Sequence, residues 1–330
     1  MKMAKKEKPQ IKHGPTKRRL ARWEQERRRR RIFTSIGMLV LVIIAALIGY
    51  GFYATSVAPG NEWVTTVGDR DFNSNDYART LRLYPPSQNS TNPAQSTLEN
   101  LENIELLWQG SAGLNISVTD DEVTQEIRLS LEKEGEPLTD EEFKESYKEM
   151  LSAIGLSDEE YREVVKTGLI QQGVSEYFLD QVPQSAEKVH VEAISVDTEE
   201  EAMEVMGNLS AGEDFNSIAA KLGGGDIGWL PRGIASQEFD DVAFNPDIEL
   251  GSVTPFGTDN GWYIIKVLGR EEDKAIDEAT RNQLAVNAIS SWMADEWESK
   301  VKRNPKYDLD NPEYMGNLQN LYEWALDKIG

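Results

Sequence analysis

The stretch 224–267 constrains the fold more than any other part of the chain. It opens as Gly-Gly-Asp-Ile-Gly-Trp-Leu-Pro-Arg-Gly at Gly224, runs through Glu-Phe-Asp-Asp-Val-Ala-Phe to Phe244, and closes on Asn-Gly-Trp-Tyr-Ile-Ile-Lys-Val at Val267. Clustered glycines admit turns and close backbone approaches that a Cβ forbids. Phe239 and Ala243 keep helical spacing, whereas the closing run is β-branched and aromatic. Together these signals predict a small sheet wrapped round an apolar groove.

At 330 residues, 39% of them hydrophobic, the chain has room for about two folded units. Its net charge of −22 hides a division: 14 of the 35 Lys and Arg fall in the first 31 residues, against three acids. The basic start and the acidic remainder belong in different environments. Cysteine is absent, which excludes disulfides, thiolate nucleophiles and iron–sulfur clusters. His13 and His190 are the two histidines, so a zinc site would need mostly carboxylates, which zinc rarely accepts. No cofactor or metal is expected.

No charge falls on 32–58, from Ile32 to Ala58, and 36–48 is dense in Leu, Val, Ile and Ala. Roughly 20 apolar residues cross a bilayer as a helix, and the length argues for an uncleaved anchor over a cleaved signal. The cluster from Arg27 to Arg31 places the N-terminus in the cytoplasm and the acidic bulk outside. It also offers a contact to anionic lipid. No aromatic or fold signature accompanies the basic tail, so nucleic acid is not an expected partner.

Beyond the anchor, 63–71 reads as a strand and turn, and 76–83 as a helix. Asp69, Asp71, Asn73 and Asn75 imitate the start of a calcium loop, but Ser74 and Thr80 stand where glycine and glutamate are needed, leaving a turn and a cap. The Pro-, Ser- and Asn-rich span 84–97 reads as a loop. Three capping boxes follow, Thr119 with Glu122, Thr139 with Glu142, and Ser157 with Glu160, each opening a helix. With Leu98, Leu101, Ile104 and Leu107 they predict a helical unit ending near Pro183. At Lys188 the period changes to that of a strand, 188–196. Thr198 with Glu201 then caps a helix, and Phe215, Ile218, Ala219 and Leu222 mark another. After Arg270 the chain returns to helix over 277–300, and a last helix follows Pro312, with Leu318, Leu321, Tyr322 and Ala325 inward. These C-terminal helices are expected to pack on the first helical unit.

In order and spacing, Val189 to Val196, Gly-Gly-Asp-Ile-Gly-Trp, Phe239 with Phe244, and Gly261 to Val267 resemble a parvulin-type (PpiC-like) peptidyl-prolyl isomerase domain. The flanking helices resemble the chaperone part of SurA- and PrsA-like extracytoplasmic folding factors. The implied architecture is α+β: a transmembrane helix, an all-helical chaperone-like unit, and a parvulin-like domain with a small, mostly antiparallel sheet flanked by helices. The implied division is a basic tail 1–31, an anchor 32–58, a helical region 59–187, a parvulin-like domain 188–270 and C-terminal helices 271–330.

The resemblance implies substrate binding by Phe239, Phe244, Thr258 and Tyr263. Read alone, Phe244 is core and Phe239 is open between core and contact. The family's two histidine positions fall on Ala193 and Tyr263, and its methionine on Ala235. His190 does not replace the first, because an odd offset from Ala193 points it to the other sheet face. No catalytic residue is therefore assigned. The resemblance implies a membrane-anchored, extracytoplasmic isomerase and chaperone for unfolded or proline-containing exported polypeptides, its catalysis weakened or lost. The alternative is a non-catalytic peptide-binding or scaffold subunit of a membrane complex.

Overall fold

The computed structural model describes residues 38, 42–51, 59–132 and 137–330. The basic tail, with Arg27 and Arg31, and most of the expected anchor lie outside the described residues. Residues 42–51 are helical and exposed; among the described residues no helix is long and apolar enough to cross a membrane. The chain divides into two units. In the smaller one, the Asn75 side chain donates to the Gly60 carbonyl.

In chain order the elements start with β1 (Trp63–Val67) and β2 (Arg70–Asn73), turned at Gly68, whose φ of 60° favours glycine. Helices α1 (Ser74–Leu83), α2 (Pro93–Gly113), α3 (Asp120–Leu131), α4 (Asp140–Ile154) and α5 (Asp158–Gln181) follow. All three capping boxes form, with the hydroxyl and glutamate bonds both made. The expected loop is shorter than its composition implied. Pro93 occupies the first turn of α2, where its missing N–H costs nothing, and Asn92 caps it.

This region is not all-helical. Its sheet has the order β2-β1-β7, where β7 (Val301–Arg303) arrives from the far end of the chain, antiparallel to β1. Three residues carry too little alternation to announce a strand. Helix α9 (Glu278–Lys300) packs on α2 and α5, and α10 (Tyr314–Ile329) on α2. Leu98, Leu101, Leu318, Leu321 and Ala325 join Tyr77 and Tyr307 in one core. Leu106 is buried there, while Ile104 and Leu107 line a cleft.

Between α5 and α9 lies a four-stranded antiparallel sheet of order β4-β3-β6-β5. Its strands are β3 (Ser185–Val196), β4 (Gly225–Pro231), β5 (Val253–Thr258) and β6 (Gly261–Ala275). Helices α6 (Glu199–Ser210) and α7 (Phe215–Leu222) cover one face through Ala202, Val205, Phe215 and Ile218 against Ile194 and Ile264. Helix α8 (Gln237–Ala243) covers the other, with Phe239 and Ala243 against Val189, Val191, Ala193, Ile265 and Val267.

Candidate peptide-binding groove

The site is the α8 side of this sheet. Alternation along β3 puts Val189, Val191 and Ala193 on that face, and along β6 it puts Tyr263, Ile265 and Val267 there. The register pairs Ala193 with Ile265 and Ser195 with Tyr263, so Ala193 and Tyr263 are diagonal neighbours on one face. Extra residues fall on β4 and β6, at Ile227 and Leu268, so β3 keeps its parity.

Gly224 makes the close approach of β4 possible. A Cβ there would collide with the Ala193 carbonyl oxygen, and Gly223, at φ 84°, ends α7 in the left-handed region. The two glycines thus lead from helix to strand beside Ala193.

Phe239 and Phe244 are 6% and 3% exposed. Phe244 is core beneath the Arg232 guanidinium, 4.2 Å above its ring. Arg232 also lies 3.7 Å from Glu187. Phe239 touches Phe256 edge-on at 6.3 Å, and Phe256 stacks on Tyr263 at 5.6 Å with 18° between the rings. Tyr263 is half-buried, and among the described residues its hydroxyl has no hydrogen-bond partner. The ring's partner is the face of Phe256. Phe256 was not singled out in sequence, although its alternation with Thr254 and Thr258 in β5 was a usable signal.

Thr258 ends β5. Its hydroxyl donates to the Gly261 carbonyl at 3.1 Å and accepts from the Asn260 amide, pinning the two-residue hairpin that presents Tyr263. Ala235 lies on the loop from β4 to α8. That loop is held from within by Asp240, which accepts from the Gly233 amide at 2.7 Å. Burial pushes the Asp240 carboxyl above its ordinary range, against that amide and Arg232.

His190 is on the opposite face. Its Nε2 lies 2.7 Å from Asp226 Oδ1, and its ring stacks on Trp229. Asp226 also accepts from the Gly228 amide, fixing the glycine turn. His190 and Gly228 together hold its carboxyl below the usual carboxylate range.

The arrangement sets Tyr263, Phe256 and Phe239 in contact along one sheet face, beside the Ala193 methyl. Rotation about an amide faces ~18–20 kcal/mol, and a dry, shaped surface that grips the proline ring lowers it only if it binds the twisted amide better than the planar one. Ala193 and Tyr263, on which the family resemblance places its two histidines, carry a methyl and a phenol. A second concavity of about 810 Å³ lies among α2, α5 and α9, and all 16 residues lining it are uncharged, among them Ile104, Leu107, Val174, Ile289 and Met293.

Residues 25–175 match a SurA-like N-terminal domain and residues 183–269 a PPIC-type PPIase domain. A foldase protein PrsA of Geobacillus kaustophilus is 29% identical over 57% of this chain and 63% of its own. The PrsA of Caldanaerobacter subterraneus is 30% identical over 65% and 67%. The chain thus spans about two thirds of the length of these relatives. A chaperone SurA of Pseudomonas fluorescens is 32% identical over 34% of this chain and 30% of its own. A crystal structure of the Bacillus anthracis PrsA peptidylprolyl isomerase aligns with a TM-score of 0.40 at 22% identity, covering 69% of this chain and 96% of that one.

Proposed function

The chain belongs to the PrsA- and SurA-like foldases, which join a SurA-like N-terminal domain to a PPIC-type peptidyl-prolyl isomerase domain, and from that membership we propose that it binds unfolded, proline-containing exported polypeptides as a folding factor. The observation that carries this reading is the contact of Tyr263, Phe256 and Phe239 along one sheet face beside Ala193. It offers a proline ring apolar contact and offers the amide no charged or anchored polar partner at either family histidine position. Binding therefore outweighs catalysis.

The uncharged cleft among α2, α5 and α9 supports a second holding surface in the same molecule. In a chain with 28% charged residues, such a lining suits apolar segments of a client. The uncharged run 32–58 behind a basic tail supports anchorage with the folded part outside the cytoplasm.

Dilution of a denatured, proline-rich client into buffer with the full-length chain in detergent tests the reading. Aggregation is expected to fall in proportion to added chain. Aggregation unchanged at a fivefold molar excess, with the chain folded, contradicts it.

A further inference from the structure

The loop from β4 to α8 carries Ala235 and leads directly into Phe239. From within the sheet domain it is held by the Asp240–Gly233 bond. Its second hold comes from outside. Asn287, on α9, donates through Nδ2 to the Gly233 carbonyl at 2.6 Å and approaches that of Ile234 at 3.5 Å. The orientation of the Asn287 amide is set by its other end, since Oδ1 accepts from Gln283 Nε2 at 2.9 Å. Leu284, one turn earlier, packs 3.3 Å from where a Gly233 Cβ would stand. Gly233 has a φ of 84°, a conformation that glycine adopts freely and side-chain-bearing residues rarely do.

We propose that Asn287 is a positioning residue for the groove: it sets the loop that carries Ala235 and leads into Phe239, so that affinity for a proline peptide depends on a helix outside the sheet domain. The family match to that domain ends at residue 269, and Asn287 lies beyond it. The same helix lines the uncharged cleft through Val286, Ile289, Ser290 and Met293. Asn287 therefore stands between the two surfaces that would hold a client. The proposal rests on the groove being the peptide site.

The test compares the full-length chain with Asn287→Ala, Asn287→Asp and Asn287→Gln. One readout is the Kd for a fluorescent Ala-Pro tetrapeptide; the other is hydrogen exchange at the backbone amides of 233–236. Loss of one such bond is expected to weaken peptide binding about three- to tenfold and to speed exchange of the loop about fivefold. Asn287→Asp, which puts a carboxylate against a carbonyl, behaves like Asn287→Ala, and Asn287→Gln recovers part of both. Global exchange in the α2 core stays unchanged, which separates a moved loop from an unfolded chain. Peptide affinity unchanged within twofold in Asn287→Ala overturns the proposal, whatever the exchange shows. If the wild-type chain binds no proline peptide, the functional reading fails by itself. Loop exchange then decides the structural role: faster exchange in Asn287→Ala upholds it, and unchanged exchange overturns it.

Discussion

Arg303 and Glu102, 201 residues apart, form a two-point ion pair in the interior of the larger unit: Nε reaches Oε1 at 2.9 Å and a terminal nitrogen reaches Oε2 at 2.7 Å. Glu102 is fully buried, and it also accepts from the Thr65 hydroxyl at 2.9 Å. One carboxylate thus ties α2, β1 and β7 together. Replacing Glu102 by Gln leaves the guanidinium buried without a counter-charge, and a cost of about 3–5 kcal/mol is expected. Urea denaturation measures it, and Glu102→Met combined with Arg303→Leu should recover part of the loss. A loss below about 1 kcal/mol for Glu102→Gln would show that water reaches the pair.

Asp226 makes acid stability depend on His190. Its folded carboxyl titrates below its ordinary 3.8, chiefly through the His190 bond and then through the Gly228 amide. With the folded value depressed, the stabilisation is complete above the unfolded carboxylate range and is lost as pH falls through the folded value. The depressed Asp226 carboxyl places that loss at roughly pH 5 to 3. Asp226→Asn is expected to flatten the wild-type fall in thermal midpoint across that window; parallel curves would remove the pair from the account.

Gly224 and Gly223 separate steric from conformational cost. Gly224→Ala drives a Cβ into the Ala193 carbonyl, a backbone atom that cannot rotate away, and about 1–3 kcal/mol is expected with weakened peptide binding. Gly223→Ala meets no atom within 4 Å and carries only the left-handed backbone cost, about 1–2 kcal/mol. The discriminating readout is the peptide Kd, which should move for Gly224→Ala and hold for Gly223→Ala.

Tyr263 and Phe256 predict opposite outcomes for two aromatic changes. The Tyr263 hydroxyl has no partner among the described residues, so Tyr263→Phe should alter stability by less than about 0.5 kcal/mol and leave peptide affinity within twofold. Phe256→Ala removes the ring that Tyr263 and Phe239 both touch. It should weaken binding at least about tenfold, the scale of one aromatic anchor. Equal effects of the two changes would contradict a binding face built on Phe256.

Local rules made much of this legible. The capping boxes, the change of period near Lys188 and the glycine punctuation at 223–233 each rest on short-range chemistry that a single sequence displays. The placement of His190 on the face opposite Ala193 followed from strand parity, whereas the sharing of a face by Ala193 and Tyr263 rests on the register of β3 with β6. What stayed hidden depends on distant partners. The three residues of β7 become a strand only because β1 waits for them. The Glu102–Arg303 pair joins residues whose spacing carries no signal, and the hold of Asn287 on Gly233 crosses between elements. Phe256 was missed because the resemblance directed attention to Phe239 and Phe244, which the structure buries more deeply.

The central claim, binding without efficient catalysis, is tested most directly by two-dimensional exchange NMR on an Ala-Pro peptide with the full-length chain. The account predicts dose-dependent shifts of the proline resonances, lost in Phe256→Ala, with cis–trans exchange cross-peaks no stronger than in free peptide. Strong exchange cross-peaks with the wild-type chain, abolished by Tyr263→Phe, would contradict it.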